Sequence, residues 1–463
     1  MATGTASKGQ MTWSRRRLLR TATIGGGATA LAGCGPAEAP SAGAGKSAQP
    51  VSLEFQHRWE GSRKDLIDKL IAEYRAAKPH VQIDNQLVFG SGEGFFDGMP
   101  YDKILTQVAA GTPPDVIMIG SDMAAAWARR GTALRALDQA LKRDKIDPAK
   151  VFYPALAQMA RATGKYYGLP QLTANDRAYL FMNKDVVAAA GLDAAKGPQS
   201  WDELVTWSQK LTKREGATLA QIGLDFPGQT FIDWLARNNG AVLSEDAAKV
   251  AFDSPAGQAT LEWLLSATKQ VYGSAQAVQE LEATDKQATY TGKVNLWTGQ
   301  VAAFFTISQD APKANPSFQL AVSIAPHNAK NSQARPTSLA EKIWMYAQGH
   351  GIQGPRADAG YDFLKYLTLG DGNKQFVLAQ GRPSPVVRFN DNPAYKQENP
   401  WWDTIVKRAF SLMSPMPQTP AWNGIRRVLN TMTDQVMAGK QGVREALAEA
   451  ARESQILLDE TRR

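Results

Sequence analysis

Five consecutive residues, Asp115-Val116-Ile117-Met118-Ile119, bounded by Pro114 and Gly120, constrain the fold more than any other stretch of this chain. The run is too short for a core helix and has no polar side to turn to water. It therefore reads as a strand covered on both faces, the position of a central strand in a parallel sheet. The residues before it supply the neighbours. Val51, Leu53 and Phe55 alternate with polar residues as a strand does, and Leu66, Ile67, Leu70, Ile71 and Tyr74 follow at helical spacing until Pro79 ends the helix. Val81, Ile83, Leu87 and Phe89 suggest a second strand, and Ile104, Leu105 and Val108 a second helix. Strand, helix, strand, helix, strand predicts an α/β layer architecture with a mainly parallel sheet.

The chain has 463 residues, a length that suits two compact domains. Ser200-Trp201-Asp202-Glu203 is a capping-box pattern for a helix carrying Leu204, Val205 and Leu211, and Asp253-Ser254-Pro255 opens another with Leu261, Leu264 and Leu265. Strands are expected at 318–324 and 343–347, and an amphipathic helix in the last 25 residues. No internal repeat is found.

Cys34 is the single cysteine, so neither an intramolecular disulfide nor a cysteine metal cluster can form. Ahead of it lie Ser14-Arg15-Arg16-Arg17-Leu18-Leu19-Arg20, a weakly apolar Gly-rich stretch, and Leu31-Ala32-Gly33. This is the layout of a signal peptide over 1–34. The basic stretch resembles the twin-arginine export signal, and the last four residues resemble a bacterial lipobox, in which the Cys34 thiol accepts a lipid. Residues 35–50, rich in Ala, Gly, Ser and Pro, read as a flexible tether. Removing 1–34 takes away five basic residues and no acid, lowering the net charge from +8 to +3. That is too mild to indicate a nucleic-acid partner. No segment has the roughly 18–20 apolar residues needed to span a bilayer, so the protein is expected to be tethered and otherwise soluble.

Catalytic patterns are missing. Gly90-Ser91-Gly92-Glu93-Gly94 is mis-spaced for a dinucleotide loop and lacks a following Gly-Lys-Ser/Thr. His57, His80, His327 and His350 are scattered without ligand spacing, and no nucleophile elbow or zinc-protease helix occurs. Carboxylate pairs such as Asp362 with Glu341, or Asp202 with Glu203, read as solvated surface acids. The 12 tryptophans are more informative, because an indole offers a flat face to a sugar ring. Trp201, Trp207 and Trp263 have core-like helical spacing. Trp59, after the first strand, and Ser121, Asp122 and Met123, after the buried one, lie where α/β folds place ligands.

Several ordered segments resemble the extracellular solute-binding proteins of ABC importers, specifically the sugar-binding family, across nearly all of 51–463. Ala109-Ala110-Gly111-Thr112-Pro113-Pro114-Asp115-Val116 is similar to a segment entering a core strand, and Gly164-Lys165-Tyr166-Tyr167-Gly168-Leu169-Pro170 to a later one, followed by Met182-Asn183-Lys184-Asp185. Gly191-Leu192 with Ser200-Trp201-Asp202-Glu203-Leu204 continues the order, as does Thr291-Gly292-Lys293-Val294, where Asn295 and Leu296 depart from the pattern. The resemblance implies a two-lobed periplasmic-binding-protein fold with ligand between discontinuous lobes, 51–170 plus 298–368 and 171–297 plus 369–463. Crossings are expected near 170–173, 296–299 and 367–370.

It further implies a non-enzymatic monomer, without cofactor or metal, that closes on a carbohydrate outside the cytoplasm and delivers it to importer permease subunits, held near the membrane by lipidated Cys34. The residues matching cleft-facing segments are His57, Arg58, Trp59, Ser121, Asp122, Asn175 and Asp176 from one lobe and crossing, and Phe231, Trp234, Trp297 and Trp422 from the other, with Glu341 and Arg382 as additions. Where relatives often carry an aromatic this chain has Val301 or Ala302, so the stacking platform is Trp297 or is missing. Alternatives are a non-sugar solute, such as a glycerophosphodiester or a polyamine, an exported glycan-degrading enzyme, and a sensor role alongside transport.

Overall fold

The computed structural model describes residues 49–88, 101–131, 133–175, 177–340 and 343–461. Cys34 with its signal, the Gly90–Gly94 loop, Asp176 and Glu341 lie outside the described residues. In the first part of the chain, the strands that matter for the site are β1 (Val51–His57), β2 (Val81–Leu87), β3 (Val116–Gly120) and β4 (Gly168–Leu172). They are followed by β5 (Tyr179–Asn183), β6 (Lys213–Glu215), β7 (Thr218–Leu224), β8 (Val294–Gly299) and β9 (Leu320–Ile324). Last come β10 (Ser338–Leu339), β11 (Trp344–Ala347) and β12 (Met413–Ser414).

Two five-stranded sheets result. The first has the order β2-β1-β3-β11-β4, with β1 parallel to β2 and β3 and with β11 antiparallel to β3 and β4. All five residues of β3 are buried, which is why the run could be all apolar. The second sheet has the order β9-β5-β8-β7-β6, with β7 parallel to β8 and with β5 antiparallel to β8 and β9. The Ser62–Ala77 helix, whose Ile67, Leu70, Ile71 and Tyr74 are buried, lies against β2. Around the second sheet, the Trp201–Leu211 helix starts on the expected cap. Ser200 Oγ accepts from Glu203 N at 3.2 Å, and Glu203 Oε2 accepts from Gln199 N at 2.8 Å. Ser254 caps the Pro255–Tyr272 helix in the same way, accepting from Gly257 N at 3.2 Å. Gly223 in β7 passes so close to the first of these helices that a Cβ there would lie 2.4 Å from Ser208 Cα.

Two of the three crossings lie elsewhere than expected. The first follows β4, which continues through Leu172 before the chain enters β5 at Tyr179. The chain does not return at 296–299, because β8 and β9 both flank β5 in the second sheet. Gly299 ends a strand at the sheet's edge, and the Ala303–Ala314 helix then leads back into the same lobe. The return runs between Ile324 and Trp344, through β10. The third crossing is not at 367–370 either. Gly370 is a corner between the Gly354–Leu369 and Asp371–Leu378 helices, the first of which packs on the first sheet and the second on the Ser62–Ala77 helix. The chain stays with the first lobe through Val386, which bridges Phe152, and Asn390, which donates to Tyr153 OH at 3.1 Å. It crosses at β12, after which the Trp422–Met437 and Val443–Glu460 helices pack on the second lobe.

The three crossing segments lie side by side. β10 pairs with β12 in parallel, Asn175 bridges Ala340, and Ala340 N donates to Ser414 O at 2.8 Å. The 338–340 segment thus lies between the other two and pairs with both, and the lobes share one three-ply hinge.

Candidate functional site

The register of the first sheet brings separate stretches of sequence to one edge. Trp344, the first residue of β11, stands opposite Gly120, the last of β3, and Leu172, the last of β4. The parallel β1 ends nearby at His57. The residues after β1, β3 and β4 therefore leave at the carboxyl edge, where open α/β sheets hold their ligands. In the second lobe, Tyr179 stands opposite both Gly299 and Ile324, so the start of β5 and the ends of β8 and β9 form the matching edge. Residues 173–178 join the two edges.

At the first edge, His57 is fully buried and stacked on Phe55 with centroids 5.1 Å apart. Its Nδ1 accepts from Trp59 N at 3.0 Å, which leaves the neutral ring's proton on Nε2. Burial lowers its pKa to about 4. Trp59 is also buried, its Nε1 donating to Gln171 Oε1 at 3.1 Å and Tyr346 OH at 3.2 Å, its ring against Phe376 and edge-on to Trp344. Both residues belong to the lobe's packing, so their expected solute contact is corrected: no face of either ring is open. The half-buried Arg58 does reach the edge, its guanidinium 4.7 Å from the Trp344 ring centroid, and Arg63 lies 5.2 Å over Trp59. Ser121 and Asp122, both buried, head the Ser121–Arg130 helix. Ser121 N donates to Ile343 O at 3.0 Å, while its Oγ has no hydrogen-bond partner among the described residues.

On the crossing, Asn175 Nδ2 donates to Tyr179 OH at 3.0 Å, and its buried Oδ1 has no partner among the described residues. Arg177 was missed from sequence. Its backbone has φ of +41°, a region side-chain-bearing residues rarely enter, and its carbonyl accepts from Arg237 Nη2. Its side chain fans onto the second edge, Nη1 donating to Thr298 Oγ1 at 3.3 Å and Nε lying 3.7 Å from Asp233 Oδ2. Thr298 donates in turn to Gln229 Oε1 at 2.9 Å, which also accepts from Trp234 Nε1 at 3.3 Å. A local signal for Arg177 is absent, because its partners are 56 or more positions away in sequence.

The second-lobe aromatics are mostly interior. Trp234 is fully buried between Trp201 and Trp263, with Arg237 4.9 Å over its ring. Phe231 is buried edge-on to Phe252, and Trp422 is buried as well. Buried to this degree, the three side chains belong to the packing of the second lobe and leave almost no ring surface for the solute contact expected of them. Trp297 is half-buried, stacked on Phe181 and touching Tyr290 and Phe318. Arg382 follows the Asp371–Leu378 helix, its N–H donating to Val377 O at 3.1 Å. Trp344 is the edge aromatic that sequence reasoning overlooked, since its run, Ile343 to Ala347, reads simply as a buried strand. Among the described residues, no group of three or more His, Cys, Asp or Glu could hold a metal ion, and no helix is long and apolar enough to cross a membrane.

The family described as Bacterial extracellular solute-binding protein matches residues 60–374. A probable amino-acid ABC transporter periplasmic-binding protein of Sinorhizobium fredii is 32% identical over 261 residues, 53% of this chain and 54% of that protein. The match thus spans about half of that relative's length. The sn-glycerol-3-phosphate-binding periplasmic protein of Agrobacterium fabrum is 20% identical over 425 residues, covering 86% of this chain and 90% of that one. Among solved structures, the sugar-binding protein MalE of Xanthomonas citri superposes with a TM-score of 0.72 at 17% identity, over 89% of this chain and 98% of that one.

Proposed function

The chain belongs to the bacterial extracellular solute-binding proteins, and from that membership we propose that it captures a carbohydrate by lobe closure and hands it to an ABC importer. One observation carries the reading: the ligand-side ends of two separate sheets are joined through a single three-ply hinge. A solute touching both edges is bound fully only when the lobes close, so its affinity difference between open and closed forms drives closure. The likeness to a sugar-binding MalE supports carbohydrate as the solute class. Polar groups at the edges, Ser121, Asp122, Asn175 and Arg177, suit hydroxyl recognition. The permease is the partner that reads the closed form, and lipidated Cys34 holds the protein beside it after export.

A binding role also fits the carboxyl chemistry. Asp225, after β7, and Glu282 hydrogen-bond to each other, and burial raises both carboxyls, Glu282 to about 7. Carboxyls in direct contact leave no room for a glycosidic bond, which needs them about 5 Å or more apart. A second reading, a glycerophosphodiester or related non-sugar solute, draws on the match to the glycerol-3-phosphate-binding relative.

The test is a thermal-shift panel of mono- and oligosaccharides, glycerophosphodiesters, polyamines and amino acids. A true ligand at a hundred times its dissociation constant adds about 2.7 kcal/mol of stability and is recovered unchanged. Stabilisation by amino acids or polyamines alone refutes the carbohydrate assignment, and consumption of the sugar refutes a pure binding role.

A further inference from the structure

We propose that Arg177 determines which solute the second lobe accepts, its guanidinium donating to two adjacent hydroxyls of a neutral carbohydrate. The inference rests on the binding reading above and names the protein group and the part of the solute that meet.

The backbone is the first pointer. Arg177 is one of five non-glycine residues with positive φ among the described residues. The other four stand in tight turns that account for the conformation. Lys145 N donates to Lys142 O, Asn239 N to Ala236 O and Ala247 N to Ser244 O, while Thr163 and Gly164 turn the hairpin between the paired Arg161–Ala162 and Lys165–Tyr166. Arg177 lies instead on the segment joining the two sheets, at φ of +41°, and is clamped from outside, its carbonyl accepting from Nη2 of the fully buried Arg237. Glycine would take this conformation without strain, so the arginine is there for what its side chain does.

That side chain reaches the ligand side of the second sheet. β7 and β8 run parallel, so their carboxyl ends share one edge. Thr298 is the second-last residue of β8, and Asp233 belongs to the Phe231–Ala236 helix that follows β7 after a short loop. Arg177 Nη1 donates to Thr298 Oγ1 at 3.3 Å, and Nε lies 3.7 Å from Asp233 Oδ2, too far for a hydrogen bond. Thr298 spends its own proton on Gln229 Oε1 at 2.9 Å, which also accepts from Trp234 Nε1 at 3.3 Å, so the chain of donors ends on a fixed guanidinium. One N–H group is used in this way, and the side chain keeps 32% of its surface exposed. The remaining N–H groups form a planar fork that can span the two oxygens of neighbouring ring hydroxyls.

Charge decides between a neutral solute and an anion. Asp233 is buried beside the fork and offsets it; Thr230 Oγ1 donates to its Oδ2, and its Oδ1 has no partner among the described residues. A carboxylate oxygen in that state can accept from a hydroxyl, and it repels an anion placed on the same fork. Asp225, the next acid along the chain from β7, is turned to its own loop, Oδ1 accepting from Gly228 N at 2.9 Å, and shares a hydrogen bond with Glu282.

Calorimetric titration of the full chain with glucose, mannose, galactose and their di- and trisaccharides finds the bound sugar, and its single-deoxy forms then map the hydroxyls. In the unaltered protein, loss of either of two neighbouring hydroxyls should weaken binding about tenfold, and the corresponding uronic acid should bind no more tightly than the neutral sugar. R177Q and R177K, the second keeping the charge without the fork, should each weaken the parent sugar about tenfold and bind the same deoxy forms nearly as well as the parent. R177G separates contact from folding: glycine relieves the strained φ and leaves the carbonyl to Arg237, so the melting temperature should hold while affinity drops as in R177Q. The proposal is overturned, with the carbohydrate reading intact, if the variants bind the sugar as tightly as the unaltered protein, if they still lose tenfold on the same deoxy forms, or if the uronic acid outbinds its parent. Affinity that falls only together with melting temperature in R177G and R177Q makes Arg177 a structural clamp and overturns it as well. Binding of none of these sugars removes both readings.

Discussion

Individual side chains at the site are governed by where they can put a charge or a proton. His57 is held neutral, with its pKa near 4 against 6.5 in an unfolded chain. As pH falls through this window the unfolded state takes up the proton first, so the stabilisation is complete above pH 6.5 and is lost on the way down to about 4. The window corresponds to about 3 kcal/mol. Urea unfolding between pH 7 and 4 should show that decline, and His57→Asn, whose Oδ1 can stand in for Nδ1, should flatten it; an unaltered slope in the variant would exclude His57 as the cause. Asp115 has a different task. Its buried carboxylate accepts from Arg356 Nε at 3.0 Å and Nη2 at 2.6 Å, and from Glu54 N at 2.9 Å, tying β1 to the entry of β3. Asp115→Ala leaves the Glu54 N–H without that acceptor and should cost about 1–3 kcal/mol of unfolding free energy, with Asp115→Asn costing less.

At the scale of elements, local grammar and tertiary placement divide cleanly. The Trp201–Leu211 helix follows its own cap, so Ser200→Ala should lower stability by about 1 kcal/mol and Ser200→Thr by much less, as read from denaturant midpoints. A full-strength Ser200→Ala protein would mean that packing of Trp201, Leu204 and Leu211 alone fixes the helix start. By contrast, Gly299 and Gly370 look equally like breaks in sequence, yet one ends a strand at the cleft edge and the other turns one helix into the next. Glycine marks a change of direction without stating what the chain meets afterwards. That is why two crossings had to be moved although the strands and helices on either side of the central strand were legible.

The whole molecule works through its hinge. Because Asn175, Ala340 and Ser414 are linked through backbone pairing, any rotation of the lobes must be absorbed by all three segments together. Bound solute should therefore lower the radius of gyration seen by small-angle X-ray scattering, with the protein remaining monomeric. Scattering that is identical with and without a saturating ligand would sink the closure mechanism.

The sequence by itself determined the α/β class, the buried central strand, both capped helices and the family likeness, since these depend on periodicity and spacing within short windows. The ends of β1 and β3, after which Arg58, Ser121 and Asp122 follow, were visible locally as well. Only the tertiary structure decided what each aromatic ring packs against. Trp234 and Trp344 are the same residue type, but one is enclosed by Trp201 and Trp263 and the other sits at a sheet edge beneath Arg58. Enclosure depends on partners tens to hundreds of residues away, which no local pattern records, and the same holds for Arg177, whose Nη1 reaches Thr298.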